Sequence, residues 1–385
     1  MHETETRPRW IAPMKPRSPD ETHRVSTPLE LFFDLVFVVA VAQAAAGLHH
    51  GIAEGHTAEV LPTYLMMFFG IWWAWMNFTW FASSYDNDDI PYRLLVFVQM
   101  TGALILAAGV EPVFATGDLT ITVIGYVVMR VAGVAQWFRA SRSDPEHRPA
   151  AVRYAVGITL AQFAWIGLLF IPENLRVPGF IVLALVELII PIWAEAASPT
   201  PWHAPHIKER YSLFTILVLG EAILSTSLAI QSAVDEGGMN AEITTIIIGA
   251  LLIVYAMWWL YFYQPTYHLI MDLKVAFYWA YGHLIVFAVT AAVGAGLAVM
   301  VDYVTHHAEI SAEAAGMAVA LPCAIFVFSL WILQEHPRAN NAIDTLLNPV
   351  TAFLILLTPF TGQPVLLTGI LLAALVIIRL VRHLD

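Results

Sequence analysis

Read for apolar and polar positions, the chain resolves into twelve long apolar stretches separated by short polar breaks. Their cores lie near 29–48, 60–82, 93–110, 119–138, 152–170, 178–195, 211–230, 243–263, 275–300, 313–333, 342–358 and 363–381. A helix needs about 20 mostly apolar residues to cross a bilayer. The pattern therefore predicts an all-α, polytopic integral membrane helix bundle of about twelve transmembrane helices. The breaks are too short for a second domain. We expect one transmembrane domain over 25–385, with halves of about 25–200 and 201–385. The segment 1–24 is rich in Pro, Arg and Thr and lacks an apolar core. It is expected to be a disordered tail, not a cleavable signal peptide, which needs an apolar segment and a small-residue cleavage site.

Composition sharpens this picture. Of 385 residues, 59% are apolar and only 12% charged, with a mean hydropathy of +0.69. Soluble domains carry about 25% charged residues, so a cytosolic enzyme is excluded. A net charge of −12 speaks against nucleic acid, whose phosphates demand clustered Lys and Arg. The single cysteine, Cys323, excludes a disulfide framework. Of the 18 lysines and arginines, 16 fall at one side of the twelve-span map, Arg176 falls at the other, and Arg130 lies deep inside span 4. Basic loops stay cytoplasmic, so both termini are expected inside.

The halves carry a faint repeat. Glu30-Leu-Phe-Phe-Asp34 opens span 1, and Glu209-Arg-Tyr-Ser-Leu-Phe opens span 7. Span 2 holds Trp72-Trp73-Ala-Trp75, and span 8 holds Trp258-Trp259-Leu-Tyr261. A six-plus-six parallel repeat follows, as in some transporters. Tryptophans at one depth also arise independently as an interface belt.

Ionisable groups inside spans are costly and by default functional or paired. Asp34, Arg130 and Glu187 fall at similar depth along their helices, and an Asp34–Arg130 ion pair with Glu187 as second acid is expected. Such a pair fixes helix register as readily as it serves transport. Glu221 lies nearer mid-bilayer with no base at its depth, between Gly220 and Ser225-Thr226-Ser227. An isolated acid there is expected to hold a proton until water or a cation reaches it, as a proton-coupled site requires. The competing reading is a protonated glutamate donating to a backbone carbonyl. Thr27-Pro28-Leu29-Glu30 fits a capping box with Pro at the first helical position, which accounts for Glu30 without a ligand role.

Remaining polar residues favour plain readings. His283 is a candidate proton relay, but a lone histidine on an apolar helix is more often hydrogen-bonded in place. Gln99, Gln136 and Gln162 suit interhelical bonding. His203 and His206 with Glu209 lie in a Pro-rich loop and make a poor metal site. Asp86-Asn-Asp88-Asp89 before Pro91 suits capping, and His49-His50 and His306-His307 have no visible partner. Pro191, Pro322 and Pro349 are expected to interrupt spans 6, 10 and 11, while Gly294-Ala-Gly296 suits close packing. No hydrolase, metalloprotease, P-loop or dinucleotide motif is present. No enzyme activity, cofactor or metal is expected.

Ser26-Thr-Pro-Leu-Glu-Leu-Phe-Phe-Asp-Leu-Val-Phe-Val38 resembles the opening signature of the bacterial low-temperature-requirement A family. So do Asp88-Asp-Ile-Pro-Tyr-Arg93 and Glu209-Arg-Tyr-Ser-Leu-Phe-Thr-Ile-Leu-Val-Leu-Gly-Glu221. The resemblance implies a multi-pass protein of the bacterial cell (inner) membrane, linked by name to growth in the cold. It highlights Glu30, Asp34, Arg93, Glu209, Arg210 and Glu221 without assigning their roles. Family members often carry an acid after the Trp-Trp-Leu-Tyr-Phe run; here Tyr263 and Gln264 follow. The expected function is a secondary transporter or permease-like protein for a small solute or ion. The alternative is a non-transporting sensor or assembly factor in the lipid bilayer.

Overall fold

The computed structural model describes residues 10–19, 21, 24–263, 271–335 and 342–384. Among them every regular element is helical. The α-helices are α1 (Pro28–Ala53), α2 (Thr57–Tyr85), α3 (Ile90–Thr116), α4 (Thr120–Ser143), α5 (Arg148–Leu168) and α6 (Glu173–Glu195). They continue as α7 (Ala204–Gly237), α8 (Ala241–Phe262), α9 (Leu273–Val304), α10 (Ala312–Leu330), α11 (Ala342–Ile355) and α12 (Pro364–Leu384). Helix starts follow local chemistry. Thr27 and Glu30 form the predicted box, with Thr27 N donating to Glu30 Oε2 at 2.8 Å and Glu30 N to Thr27 Oγ1 at 3.3 Å. Asp89 caps α3, and Asn240, Asp272 and Ser311 cap α8, α9 and α10.

Among the described residues, ten helices are long and apolar enough to cross a membrane. The two others were also expected to span. Helix α2 is long but rich in tryptophan, which dilutes its hydropathy. Helix α11 has 14 residues, about 21 Å at 1.5 Å per residue, short of a roughly 30 Å core. The prolines Pro191, Pro322 and Pro349 lie inside continuous helices and break none of them.

The chain divides into two compact units, residues 1–40 with 69–210, and residues 41–68 with 211–385. The division differs from the expected halves, because the second part of α1 and the first part of α2 belong with the second unit. In the first unit, α3 and α4 pack through small residues. A Cβ on Gly125 would lie 2.3 Å from Leu106 N, and one on Gly109 would lie 2.5 Å from Thr122 N. Gln99 Nε2 donates to Gln136 Oε1 across the same pair at 2.8 Å. Helix α6 turns Ile181, Val182, Leu185 and Ile189 outward and buries Glu187, Ile190 and Ala194. Exposed aliphatic ridges of this kind suit lipid, since tails solvate them as well as a core does.

In the second unit, α9 is the most enclosed span. Gly294 lies against the Ala222 backbone of α7, and Gly296 against the Ala318 carbonyl of α10. The predicted close packing of this glycine pair is therefore present. Tyr64 Oη donates to Ala288 O at 2.6 Å. His49, read as lacking a partner, faces Asp302 at 2.7 Å. Trp258 and Trp259 are exposed, whereas Trp72, Trp73 and Trp75 are fully buried. The two tryptophan clusters thus occupy different environments, which removes one support for the repeat.

The expected disordered tail also differs. Its described residues bond along the first unit. Ala12 N donates to Asp89 Oδ2 at 2.8 Å, Arg17 N to Ser84 O at 2.9 Å, and Arg24 Nη2 to Ala82 O at 2.7 Å. Met14 is wholly buried. Ala82 and Ser84 lie in the last turn of α2; the Ala82 carbonyl also accepts from Asp86 N at 3.1 Å, while the Ser84 carbonyl is met by Arg17 N of the tail. The tail thus supplies a donor to the Ser84 carbonyl and a second one to that of Ala82.

A buried ion cluster as candidate functional site

Four ionisable side chains meet in the first unit. Glu30 and Asp34 stand four residues apart on α1, and His206 and Arg210 four apart on α7, so each pair shares a helix face. The faces oppose each other. Arg210 Nη1 lies 2.9 Å from Glu30 Oε1, and His206 Nε2 lies 3.1 Å from the same oxygen. Arg210 Nε donates to Asp34 Oδ2 at 3.2 Å, and its Nη2 pairs with Asp34 Oδ1. Trp75 Nε1 adds a bond to Asp34 Oδ1 at 2.7 Å. Glu30 is 1% exposed, and Asp34, His206 and Arg210 are 0% exposed. Glu209, on the same turn of α7, accepts from Ser26 N at 3.1 Å and ties α7 to the segment before α1.

The expected Asp34–Arg130 pair does not form. Arg130 instead pairs with Glu187, Nη2 to Oε2 at 3.0 Å. Glu187 also accepts from Trp73 Nε1 at 2.8 Å, Tyr126 Oη at 3.1 Å and Trp165 Nε1 at 3.1 Å, with Gln162 Nε2 at 3.5 Å. Residue depth along a helix is legible from counting, but which neighbouring helix a side chain faces is not. The sequence map starts the core of span 7 at 211 and so counts Arg210 among the basic residues outside the spans. Helix α7 in fact begins at Ala204, and Arg210 sits two turns inside it.

The two clusters differ in how their acids are held, although Arg130 Nε and Gln162 Oε1 in the Glu187 cluster also lack a hydrogen-bond partner. Both Glu187 oxygens carry several donors. Around Arg210, the ring nitrogens of His206 and the Nη1 of Arg210 have ion-pair contacts or none but no hydrogen bond of good geometry. Buried polar groups are normally satisfied, and exceptions call for a functional or hydration account. The first cluster is a brace among α2, α4, α5 and α6. The second joins α1 and α7 through Arg210, which pairs with both Glu30 and Asp34.

Other candidates fall elsewhere. Arg93 is exposed and bonds Asp88, Nη2 to Oδ2 at 2.6 Å. Glu221, in the second unit, is buried and accepts from Ser225 Oγ at 3.1 Å, with no cation at ion-pair distance among the described residues. His283 takes the plain reading: its Nδ1 meets Trp279 O at 2.7 Å and its Nε2 meets Tyr261 Oη at 3.1 Å, within an aromatic nest. His203 Nε2 meets Glu21 O, so its ring faces the tail, away from any metal-ligand set. Gln264 lies outside the described residues.

Fold and cluster together define a polytopic helical membrane protein with ionisable groups built into its spans. The chain belongs to the family described as bacterial low temperature requirement A protein (LtrA), whose family model matches residues 25–381. It is also 29% identical over 244 residues to an uncharacterized protein of Rhizobium meliloti (strain 1021). That match covers 61% of this chain and 58% of the relative, so it spans little more than half the relative's length.

Proposed function

We propose that this protein is a secondary transporter or permease-like protein of the bacterial inner membrane, moving a small solute or ion with protons. The observation that carries the reading is the Glu30–Arg210–Asp34 cluster with His206. Four ionisable groups are held without water exposure inside apolar helices, and several of their polar atoms lack a good hydrogen bond. Such an arrangement is expensive in a membrane unless it is used. Glu221 is the proposed proton-exchanging acid, since a carboxyl at this depth without a cation is a natural carrier of one proton. Basic loop asymmetry favours cytoplasmic ends for the chain.

The test is flux. Purified full-length protein is reconstituted in liposomes with a pH-sensitive dye inside, then challenged with ions and small metabolites. The wild-type protein should couple at least one solute to proton movement. Glu221→Gln, which keeps size and hydrogen bonding, should insert normally and lose the coupled proton signal. A fully active Glu221→Gln protein would end the proton-exchange role of that residue. A wild-type protein that moves none of the solutes would favour the sensor or assembly reading.

A further inference from the structure

One end of the α5–α6 hairpin carries an arginine that no acid neutralises. Arg153 of α5 holds its guanidinium 5.2 Å from the centre of the Trp193 ring of α6, and its Nη1 donates to the Trp193 carbonyl at 2.8 Å. Among the described residues its Nε and Nη2 have no acceptor, and no carboxylate lies within ion-pair distance of them. The acids at this end are turned elsewhere. Asp144 accepts from Tyr85 Oη and pairs with His147, Glu195 accepts from Tyr154 Oη and Thr200 Oγ1, and Glu146 is exposed in the loop before α5. Arg153 is itself partly exposed, so its free N–H groups are open to a ligand.

Two apolar stripes lead away from this point. Residues three and four apart share a helix face. On α5, Val156, Leu160 and Phe163 follow Arg153 at that spacing; on α6, Ile189, Val186 and Val182 precede Trp193 at the same spacing. All six are exposed, from 43% for Val186 to 69% for Phe163. The helices run antiparallel in close contact. A Cβ on Gly157 would lie 2.9 Å from Ile190 and 3.5 Å from Trp193, and one on Gly179 would lie 2.7 Å from Leu168. Both stripes therefore start at the guanidinium and run in the same direction. From Arg153 to Phe163 the rise is about 15 Å, which is half of a roughly 30 Å hydrocarbon core and so the depth of one leaflet.

We propose that Arg153 and Trp193 hold the phosphodiester of one anionic phospholipid, whose acyl chains lie along the exposed stripes of α5 and α6. The free edge of the guanidinium presents forked donors that match two phosphate oxygens. The Trp193 ring beside it steadies the cation, and tryptophan is at home at headgroup depth. Charge selects the lipid. A headgroup of net charge −1 neutralises Arg153, whereas a zwitterionic one brings its own ammonium to the same phosphate. The stripes select a lipid over a free anion, because they give acyl chains one leaflet of apolar surface to follow. The site rests on the membrane spans and on this contact, not on the transport reading.

Native mass spectrometry of the full-length protein in neutral detergent tests it, with phosphatidylglycerol and phosphatidylcholine of matched chains titrated separately. The first phosphatidylglycerol should bind about tenfold more tightly than the first phosphatidylcholine, the worth of one hydrogen bond to a charged group. Arg153→Gln keeps a donor for the Trp193 carbonyl; it should erase that preference and leave phosphatidylcholine binding unchanged. Arg153→Lys keeps the charge but not the fork, and should lose about threefold of the preference. Arg142→Gln separates place from charge. Arg142 is an exposed arginine 4.3 Å from the Phe138 ring of its own helix, with no acid and no second helix bridged among the described residues, and the preference should survive its loss. A wild-type protein without preference, a preference that survives in Arg153→Gln, or an equal loss in Arg142→Gln would overturn the site. So would displacement of the lipid by inorganic phosphate at constant ionic strength, which marks a soluble-anion site, or a homodimer that excludes the lipid, which gives the face to a second copy. If Arg153→Gln does not fold, Arg153→Lys decides, and an unchanged preference in that protein overturns the site.

Discussion

Asp34 and Glu187 are both wholly buried acids facing an arginine, yet their surroundings give them different work. Glu187 is held by donors from α2, α4 and α5, while Asp34 shares Arg210 with Glu30 and gains only Trp75 besides. The partnership is testable by mutation. Asp34→Asn and Arg210→Gln should each lower the melting temperature, because breaking a buried pair costs about 3–5 kcal/mol. The double variant should recover part of that loss, whereas Asp34→Asn and Arg130→Gln should simply add. Additive losses for Asp34 and Arg210 would show that they do not interact. At the helix end nearby, burial, with Glu30 adding to it, pushes the Asp86 carboxyl up to about 6 against the pull of Arg17. Its unfolded value is about 3.9. The folded value is the higher, so this group's contribution is complete below about pH 4 and is lost as pH rises through about 6. The loss at neutral pH is on the order of 2–3 kcal/mol. Asp86→Asn should therefore gain in melting temperature over wild type as pH rises from 5 to 7, by roughly several degrees. A pH-independent difference would refute the burial account.

At the scale of elements, helix existence was plain in the sequence and helix partnership was not. Long apolar runs announce spans, and Thr27–Glu30 and Asp89 announce helix starts, because capping is local chemistry. Prolines misled, since helices in a membrane absorb them when neighbours satisfy the freed backbone groups. Tryptophan misled in another way: Trp72 and Trp258 look alike as letters, but one is enclosed and the other exposed. The tail misled by composition, because its contacts with the end of α2 are single hydrogen bonds that leave no apolar pattern to betray them. Small residues, by contrast, mark their contacts faithfully. Gly125→Ala would place a methyl 2.3 Å from the Leu106 backbone, where no flexible side chain can yield. It should cost about 1–3 kcal/mol as α3 and α4 are pushed apart. Gly133→Ala, on the same helix with open space around it, should be tolerated. Equal stability of the two variants in thermal unfolding would contradict tight α3–α4 packing.

For the molecule as a whole, a surface of exposed leucine, isoleucine, valine and phenylalanine makes a bilayer its natural solvent. The orientation we propose is open to reporter fusions. Fusions after Asp144 and Ser198 should read cytoplasmic, and those after Gly55, Asp118 and His307 external. A reversal of any of the last three would break the proposed topology. The central claim is that the cluster on α1 and α7 works while the cluster around Glu187 braces. Proteoliposome flux per folded molecule, compared between Asp34→Asn and Glu187→Gln, tests it most directly. The account predicts that Asp34→Asn falls to about a tenth of wild-type flux or less, as losing an essential interaction of roughly 1.4 kcal/mol or more would require. It predicts that Glu187→Gln melts earlier but keeps its flux. A folded Asp34→Asn protein with undiminished flux would contradict it.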